Sequence, residues 1–211
     1  MAPSNQFIAP CQYNSAPLSG CHGYVLPAAF EMFPPRSVNL RVLDVGCGNG
    51  SVAREVAKRG CNVVGIDISE TGVAIARRQC PEARFEVMAA DEKLLANLGE
   101  EPFDLVLSFE VIEHVYAIRS FLAACFAALR PGGTFICSTP YHGYAKNLLL
   151  SLSGGWDRHL TSAAEGEHIR FFSRRTLSLL LEQAGFCSFQ FAGAGRFPYL
   201  WKSMVIAASK T

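Results

Sequence analysis

Three side chains that can handle protons or metal ions stand close together in the chain. Glu110, Glu113 and His114 occupy positions i, i+3 and i+4. If this segment forms a helical turn, the three side chains share one face of it. An imidazole titrates near neutral pH, so His114 is a candidate general base for a hydroxyl group. Two carboxylates and one imidazole are also part of a ligand set for a divalent cation. A structural role, in which both acids only orient His114 or satisfy loop amides, stays open as well.

A glycine-rich turn upstream has the pattern of a ligand site. The apolar run 42–45 predicts a buried strand, and it is followed directly by Gly46, Gly48 and Gly50. A strand, a glycine turn and a helix start together place a ligand at the carboxyl end of a strand. Asp44 lies inside the end of the first strand, before the first glycine, where it suits a cationic group such as an ammonium. Asp67 ends the next predicted strand, where a carboxylate can accept both hydroxyls of a ribose.

The elements that must position these groups alternate between strands and helices. Strands are predicted at residues 42–45, 62–67, 83–88, 103–108, 134–138, 186–191 and 201–208. Helices are predicted at 24–33, 118–129 and 173–184. Two more are predicted, one directly after the glycine turn and one that begins after Ser69 as its N-cap. The alternation predicts an α/β fold with helices on both faces of a parallel sheet. Since no helix separates the last two strands, we expect an antiparallel hairpin at the sheet edge. The run Pro131-Gly132-Gly133 is expected to end the preceding helix with a glycine C-cap.

Composition narrows the class of partner. The chain has 211 residues, 50% of them hydrophobic and 18% charged, with a formal net charge of +1. These values predict one globular domain and a small-molecule partner, because no basic block suggests nucleic acid. The 8 cysteines form no CxxC pair, so we expect reduced thiols and no disulfide framework. Residues 1–20 lack the features of a secretory signal, and no apolar run could span a membrane. A cytoplasmic location is therefore expected.

Four motifs in this order resemble those of class I methyltransferases that use S-adenosylmethionine. They are Val-Leu-Asp-Val-Gly-Cys-Gly-Asn-Gly at 42–50, Gly-Ile-Asp-Ile-Ser at 65–69, Ala-Ala-Asp at 89–91 and Leu-Arg-Pro-Gly-Gly at 129–133. The similarity covers residues 40–208. It implies a single Rossmann-like, mostly parallel sheet of seven strands whose last strand is antiparallel. It also implies S-adenosylmethionine as the cofactor.

The resemblance and the glycine turn together give a set of expected cofactor contacts. They are Tyr24, Asp44, Gly46, Cys47, Gly48, Asp67, Ile68, Ala90, Asp91 and Phe109. Asp91 belongs to the motif at the adenine edge, and Cys47 is interpreted as a small spacer. Tyr24 is expected to cap the cofactor from the N-terminal arm, or else to pack on the first strand.

The segment 110–114 is similar to the Glu-x-x-Glu-His of ubiquinone-biosynthesis O-methyltransferases, some of which use a divalent metal there. The same spacing also occurs in relatives without a metal. His168, within Gly-Glu-His-Ile-Arg-Phe-Phe-Ser, resembles the histidine before the last helix of these enzymes. The resemblance therefore implies His114 and His168 as catalytic residues. It implies Glu110, Glu113 and His114 as the ligands if a metal is bound.

The chain is expected to divide into an arm or lid at 1–38 and a methyltransferase domain at 39–211. Residues 139–172 have no clean periodicity and follow the fifth strand, so they predict an active-site lid. Tyr141, Trp156 and Phe171 in this lid could form a wall for an aromatic acceptor. Simple packing of the lid against the sheet is the alternative for each.

The leading hypothesis is transfer of a methyl group to a hydroxyl of a small aromatic or quinone-like acceptor. Alternatives are N- or C-methylation of a small heterocycle and methylation of RNA 3′ ends. The near-neutral charge argues against RNA. A nicotinamide-dependent oxidoreductase is disfavoured by the GxGxG spacing, and a binding module without chemistry by the intact Glu and His set.

Overall fold

A seven-stranded sheet is the centre of the fold in a computed structural model that describes residues 20–35, 38–159 and 168–211. The strands are β1 Arg41–Val45, β2 Asn62–Asp67, β3 Arg84–Val87, β4 Phe103–Phe109, β5 Leu129–Pro140, β6 Cys187–Ala194 and β7 Ser203–Ser209. Their order across the sheet is β3-β2-β1-β4-β5-β7-β6. The pairs from β3 to β5 are parallel, while β7 runs antiparallel to both β5 and β6. The predicted Rossmann-like sheet with an antiparallel last strand is confirmed.

Helices cover both faces of the sheet. They are α1 His22–Phe30, α2 Ser51–Ala57, α3 Glu70–Gln79, α4 Leu94–Leu98, α5 Ile118–Ala128, α6 Tyr144–Leu152, α7 Trp156–His159 and α8 Arg174–Gln183. Side chains of α1, α2 and α3 form one buried cluster with one face. Side chains of α4, α5 and α8 form a second cluster with the opposite face. The apolar runs of β1 and β4 are buried because both of their faces lie under helices.

Local sequence signals set several helix ends. Ser69 caps α3, as predicted, since its hydroxyl accepts a hydrogen bond from the Gly72 amide at 3.1 Å. Ser173 starts α8 in a capping box with Thr176. The predicted glycine C-cap of α5 is wrong. The helix ends at Ala128, and Pro131-Gly132-Gly133 lies inside β5, where the register against β4 shifts. The glycines allow this bulge beside the antiparallel partner β7.

Three of the described helices, α4, α6 and α7, have no counterpart in the sequence prediction. Helix α4 has five residues and is too short to show a period. Helix α6 lies in the predicted lid, where the consecutive leucines 148–150 hide the helical spacing. Within the described part of the lid the chain therefore forms α6 and α7.

The described part of the predicted arm belongs to the same core. Val25, Leu26 and Ala29 of α1 are buried against the sheet, and α1 contacts β6 and β7. The domain boundary at residue 38 stays a prediction. Residues 1–19, 36–37 and 160–167 of the predicted arm and lid lie outside the described residues. Among the helices described, none has the length and apolar character needed to cross a membrane.

Candidate active site

A cavity of about 230 Å³ opens at the carboxyl ends of β1, β2 and β4. This is the edge of an α/β sheet where ligands bind. Of the expected cofactor contacts, those that line it are Asp44, Gly46, Cys47, Gly48, Asp67, Ile68, Ala90 and Phe109. We call it the first cavity.

The glycine turn brings backbone close to the first cavity. Gly46 has φ +79°, and a Cβ at this position would collide with the side chain of Val111. The amides of Gly46 and Cys47 donate to the Ile66 carbonyl at 2.8 and 3.0 Å. The turn is therefore tied to β2, and only glycine satisfies both its backbone conformation and its packing.

Asp67 connects the turn to the start of α3. Its Oδ2 accepts a hydrogen bond from the Gly48 amide and its Oδ1 one from the Ser69 amide, each at 2.8 Å. Burial raises the pKa of Asp67, and these amides oppose the shift. Each carboxylate oxygen can accept more than one hydrogen bond, so the pair can still receive two ligand hydroxyls.

Asp44 is a buried acid with one carboxylate oxygen that lacks a hydrogen-bond partner in the described chain. It is 2% exposed, and its Oδ2 has no hydrogen-bond partner among the described residues. Burial, and then the charge of Asp67, raise the pKa of Asp44 to about 7. Because a cation beside it would favour the charged form, the site suits an ammonium group of a ligand.

Two expected cofactor contacts, Tyr24 and Asp91, are not among the described residues that line the first cavity, so their contact with the cofactor stays a prediction. Asp91 accepts a hydrogen bond from the Lys93 amide at 2.9 Å at the start of α4, and it is not among the described residues lining the first cavity. Tyr24 faces a second cavity, described below. The sequence reasoning missed other lining residues, namely Cys21, His22, Val45, Asn49, Val52, Ile66, Met88 and Val111. Met88 could have been found, because it follows β3 at the same sheet edge. His22 lies in the arm, where no sequence signal marks it.

The second cavity, of about 420 Å³, lies next to the first. Glu110 lines both, so the two cavities meet at its side chain. The other described residues of the second cavity are Tyr24, Pro140, Lys146, Leu149, Leu150, Ser153, His159, His168, Arg196, Leu200, Lys202 and Ser203.

Glu110 sits at this junction in an unusual backbone conformation. Its φ is +53°, which is rare for a residue with a side chain and is concentrated at functional sites. Its amide donates to Ser138, and its carboxylate accepts hydrogen bonds from the hydroxyls of Ser138 at 2.8 Å and Ser203 at 3.3 Å. Burial raises its pKa, and these hydroxyls oppose the shift. The conformation turns Glu110 toward β5 and β7.

Glu113, His114 and His168 form a cluster behind the junction. His114 lines the first cavity and His168 the second, and their ring centroids are 5.0 Å apart. Glu113 is 0% exposed, with its Oε1 3.9 Å from His114 Nε2 and 3.8 Å from His168 Nε2. Burial and the charge of Glu110 raise the pKa of Glu113 well above its ordinary range. The structure thus brings together a set that contains His168 in place of Glu110.

Backbone contacts deliver His168 to this cluster from a distant part of the chain. The Ile169 amide donates to the Glu113 carbonyl at 3.0 Å. The Arg170 guanidinium donates to the carbonyls of Val115 and Tyr116 at 3.0 and 2.7 Å. These bonds fix the segment before α8 against the short 3-10 helix Ile112–His114.

The cluster fits a divalent cation. The ligand atoms of Glu113, His114 and His168 lie within 4.8 Å of one another. Neither oxygen of Glu113 has a well-formed hydrogen bond within the described residues, even with Thr139 beside it. One carboxylate and two imidazoles suit a borderline ion such as Zn²⁺. Glu110, the third expected ligand, is engaged by the two serines.

The three aromatic residues expected to wall the acceptor are not among the described residues lining either cavity. Tyr141 is buried in the core, edge-on to Trp201. Trp156 and Phe171 pack around the ring of His142. His159, which also contacts His142, is the member of this group that reaches the second cavity. Contact of the three aromatics with an acceptor stays a prediction.

Comparisons with known proteins identify the class of protein to which this fold belongs. A family model described as a methyltransferase domain matches residues 24–187. The chain belongs to this family.

Comparison with individual sequences also finds methyltransferases. The chain is 36% identical over 150 residues to the ubiquinone biosynthesis O-methyltransferase of Dinoroseobacter shibae, covering 69% of this chain and 59% of the relative. The chain spans between 57% and 66% of the length of the first curated relatives it matches.

Solved structures show the same fold. Magnesium protoporphyrin IX methyltransferase from Synechocystis, solved with bound S-adenosylhomocysteine, superposes with a TM-score of 0.60 at 19% identity, covering 89% of this chain and 79% of the other. A methyltransferase dependent on S-adenosylmethionine from Thermotoga maritima gives a TM-score of 0.65 at 20% identity, covering 88% of this chain and 87% of the other.

Proposed function

We propose that this protein transfers the methyl group of S-adenosylmethionine to a hydroxyl of a small aromatic or quinone-like acceptor. The observation that carries the proposal is the junction of the two cavities. The first holds the buried Asp44 and the bridging Asp67, which suit the ammonium and the ribose of the cofactor. The second begins at Glu110, beside the paired rings of His114 and His168. The identity to ubiquinone biosynthesis O-methyltransferases supports oxygen as the target atom.

The chemistry asks the protein mainly for alignment and for a proton acceptor. The acceptor oxygen attacks the methyl carbon of the sulfonium in line with the departing sulfur. The C–O bond forms as the C–S bond breaks, and S-adenosylhomocysteine leaves. An imidazole of His114 or His168 takes the hydroxyl proton. Glu113 Oε1, 3.9 and 3.8 Å from the two Nε2 atoms, is close enough to stabilise whichever ring becomes protonated. The Glu110 carboxylate, fixed by two serines, separates the sites of the two substrates.

An acceptor screen of phenols, quinols and hydroxylated heterocycles tests the proposal, with release of S-adenosylhomocysteine as the readout.

His114→Ala is expected to leave the affinity for S-adenosylhomocysteine intact and to lower kcat by about 10²- to 10⁴-fold. His114→Gln is the matched control for side-chain volume. Weakened cofactor binding with unchanged kcat would contradict the role given to His114.

The same cluster could instead serve a divalent cation. Glu113, His114 and His168 would hold it, and it would supply a Lewis acid that lowers the pKa of the acceptor hydroxyl. Dialysis against a chelator separates the two roles. Turnover that persists without metal supports the bare imidazole base. Turnover that is lost and then restored by added Zn²⁺ or Mn²⁺, with Glu113→Gln abolishing the restoration, supports the cation.

We expect a small-molecule acceptor and no nucleic-acid partner, because the formal net charge is only +1. The cytoplasmic location also stays a prediction.

A further inference from the structure

The wall of the second cavity carries more positive charge than the proposed reaction needs. Its cations are Lys146 of α6, Arg196 after β6 and Lys202 before β7. Within the described residues Glu110 is the acid that lines this cavity, and its carboxylate is already bonded to Ser138 and Ser203. Methyl transfer to a neutral phenol would give these cations nothing to bind.

Of the three cations, Lys146 gives the strongest evidence for a bound anion, because it is buried and has few partners. It is 8% exposed, and its Nζ makes one long hydrogen bond, 3.5 Å to the Lys202 carbonyl. No carboxylate of the described chain lies within ion-pair distance of it. Burial, and then the charge of Arg196, lower the pKa of Lys146 to about 8, while Glu110 opposes the shift. A buried ammonium with a neighbouring cation is costly unless an anion joins it.

Two of the three cations, Lys146 and Arg196, line one cavity and lie near each other, so they can act on one ligand group. Arg196 is exposed and lies close enough to Lys146 to disfavour its charge. Lys202 packs its Nζ 5.4 Å from the ring centre of Tyr24. Leu149, Leu150 and Leu200 supply an apolar wall in the same cavity. An aromatic ring against the leucines would present a charged substituent to Lys146 and Arg196.

We infer that the second cavity contains an oxyanion subsite, and that the acceptor carries a carboxylate or a phosphate besides the hydroxyl that is methylated. The guanidinium of Arg196 can pair with either group in a forked geometry, and Lys146 adds a desolvated point charge. The inference rests on the proposed function, because it takes the occupant of the second cavity to be the methyl acceptor. Binding to the subsite can be measured without turnover. The carboxylate of the cofactor is a less suitable occupant, since neither cation is among the described residues lining the first cavity.

The experiment is calorimetric titration of the protein saturated with S-adenosylhomocysteine. The probes are a dihydroxybenzoate, the matching dihydroxybenzamide and the matching dihydroxyphenyl phosphate. We expect the benzoate or the phosphate to bind about 10- to 100-fold more tightly than the amide. Lys146→Met and Arg196→Gln are expected to remove most of this preference, and Lys146→Arg to keep it. Lys58→Met, at an exposed lysine that follows α2 and pairs with Glu55, is the matched control.

Each outcome decides one point. Preference for the phosphate over the benzoate identifies the oxyanion. Equal binding of the benzoate, the phosphate and the amide by the wild type overturns the subsite. Weakened binding of S-adenosylhomocysteine by Lys146→Met or Arg196→Gln, with unchanged benzoate binding, would assign the cations to the cofactor and also overturn it. Because Arg196 is exposed, Arg196→Gln keeps the test informative if Lys146→Met fails to fold. Selective benzoate binding without any methyl transfer would reject the proposed function and leave the subsite standing.

Discussion

At the scale of single residues, Asp44 combines a structural cost with a functional use. Its carboxylate is buried and lacks a partner on Oδ2 within the described chain. Nothing about local packing requires an acid at the end of β1, where an amide would fill the same space. The Ala53 amide offsets part of the cost of ionising Asp44. A bound cation would offset more of it, so Asp44 is suited to the ligand-bound protein.

Asp44→Asn should therefore weaken the binding of S-adenosylhomocysteine. The amide keeps the shape of the side chain but loses the charge that attracts the ligand ammonium. We expect a loss of about 10- to 100-fold in affinity, measured by calorimetry. Glu55→Gln, an exchange at an acid of α2 outside the first cavity, is the control. Unchanged affinity in Asp44→Asn would remove Asp44 from the cofactor site.

The same substitution should make the ligand-free protein more stable than the wild type as the pH rises, because the wild type loses stability. The pKa of Asp44 is about 7 in the folded chain against 3.8 as its ordinary value, so the folded state holds this proton more tightly. The stability that neutral Asp44 contributes is present below the ordinary pKa and is lost as the pH rises through the folded pKa. Asparagine cannot ionise and avoids this loss.

The difference in unfolding free energy between Asp44→Asn and the wild type should thus grow in favour of the variant from about pH 4 to 7. The slope has an upper limit of about 1.4 kcal/mol per pH unit. Urea unfolding at several pH values measures it. A difference that does not vary with pH would show that Asp44 is not neutral in the ligand-free fold.

At the scale of elements, the turn between β1 and α2 depends on the 3-10 helix after β4. Val111 occupies the space that a side chain at position 46 would need. The turn that faces the cofactor and the segment that carries Glu113 and His114 are therefore packed against each other. A change in one should be felt in the other.

Gly46→Ala is expected to destabilise the protein by about 1–3 kcal/mol, through positive φ and the clash with Val111, and to weaken S-adenosylhomocysteine binding. Gly99→Ala is the matched control. Gly99 has φ +63°, but no atom of the residues that the structure describes lies within 4 Å of the place that a Cβ would take there, so this variant should show the backbone cost alone. Adding Val111→Ala to Gly46→Ala should recover part of the loss. Urea unfolding measures each variant, and equal effects of the two glycine substitutions would contradict the packing argument.

At the scale of the whole molecule, one sheet joins two buried clusters. Helix α1, from the part of the chain expected to be an arm, belongs to one cluster, and α8 belongs to the other. Since both clusters pack on the same strands, the described chain should unfold as one unit.

Leu26→Ala in α1 and Leu181→Ala in α8 are each expected to cost about 2–5 kcal/mol and to lower the temperature of a single unfolding transition. Both side chains are buried, whereas Leu152 is 77% exposed, so Leu152→Ala is the control. Thermal unfolding followed by circular dichroism measures the effect. An unchanged melting temperature in Leu26→Ala would show that the arm is separate from the domain.

Sequence-based prediction succeeded where the signals are local. Apolar runs, the glycine turn and Ser69 each act within a few residues, and they predicted the sheet and the antiparallel strand β7. Eight of the expected cofactor contacts line the first cavity, and their contact with the cofactor stays a prediction. The predicted C-cap at Gly132 and Gly133 was wrong because pairing with β7 draws these residues into β5. Helix α6 was missed because its consecutive leucines carry no helical period.

By itself the sequence determined the sheet, the family and the side chains available for chemistry, since these follow from residue type and short spacing. Tertiary structure alone decided which of those side chains meet. It turned Glu110 toward Ser138 and Ser203, placed His168 beside Glu113 and His114, and left Lys146 buried near Arg196. These contacts join residues far apart in the chain, and no local preference fixes them. They arise only when β5 and β7 pair and the segment before α8 docks on the short helix after β4.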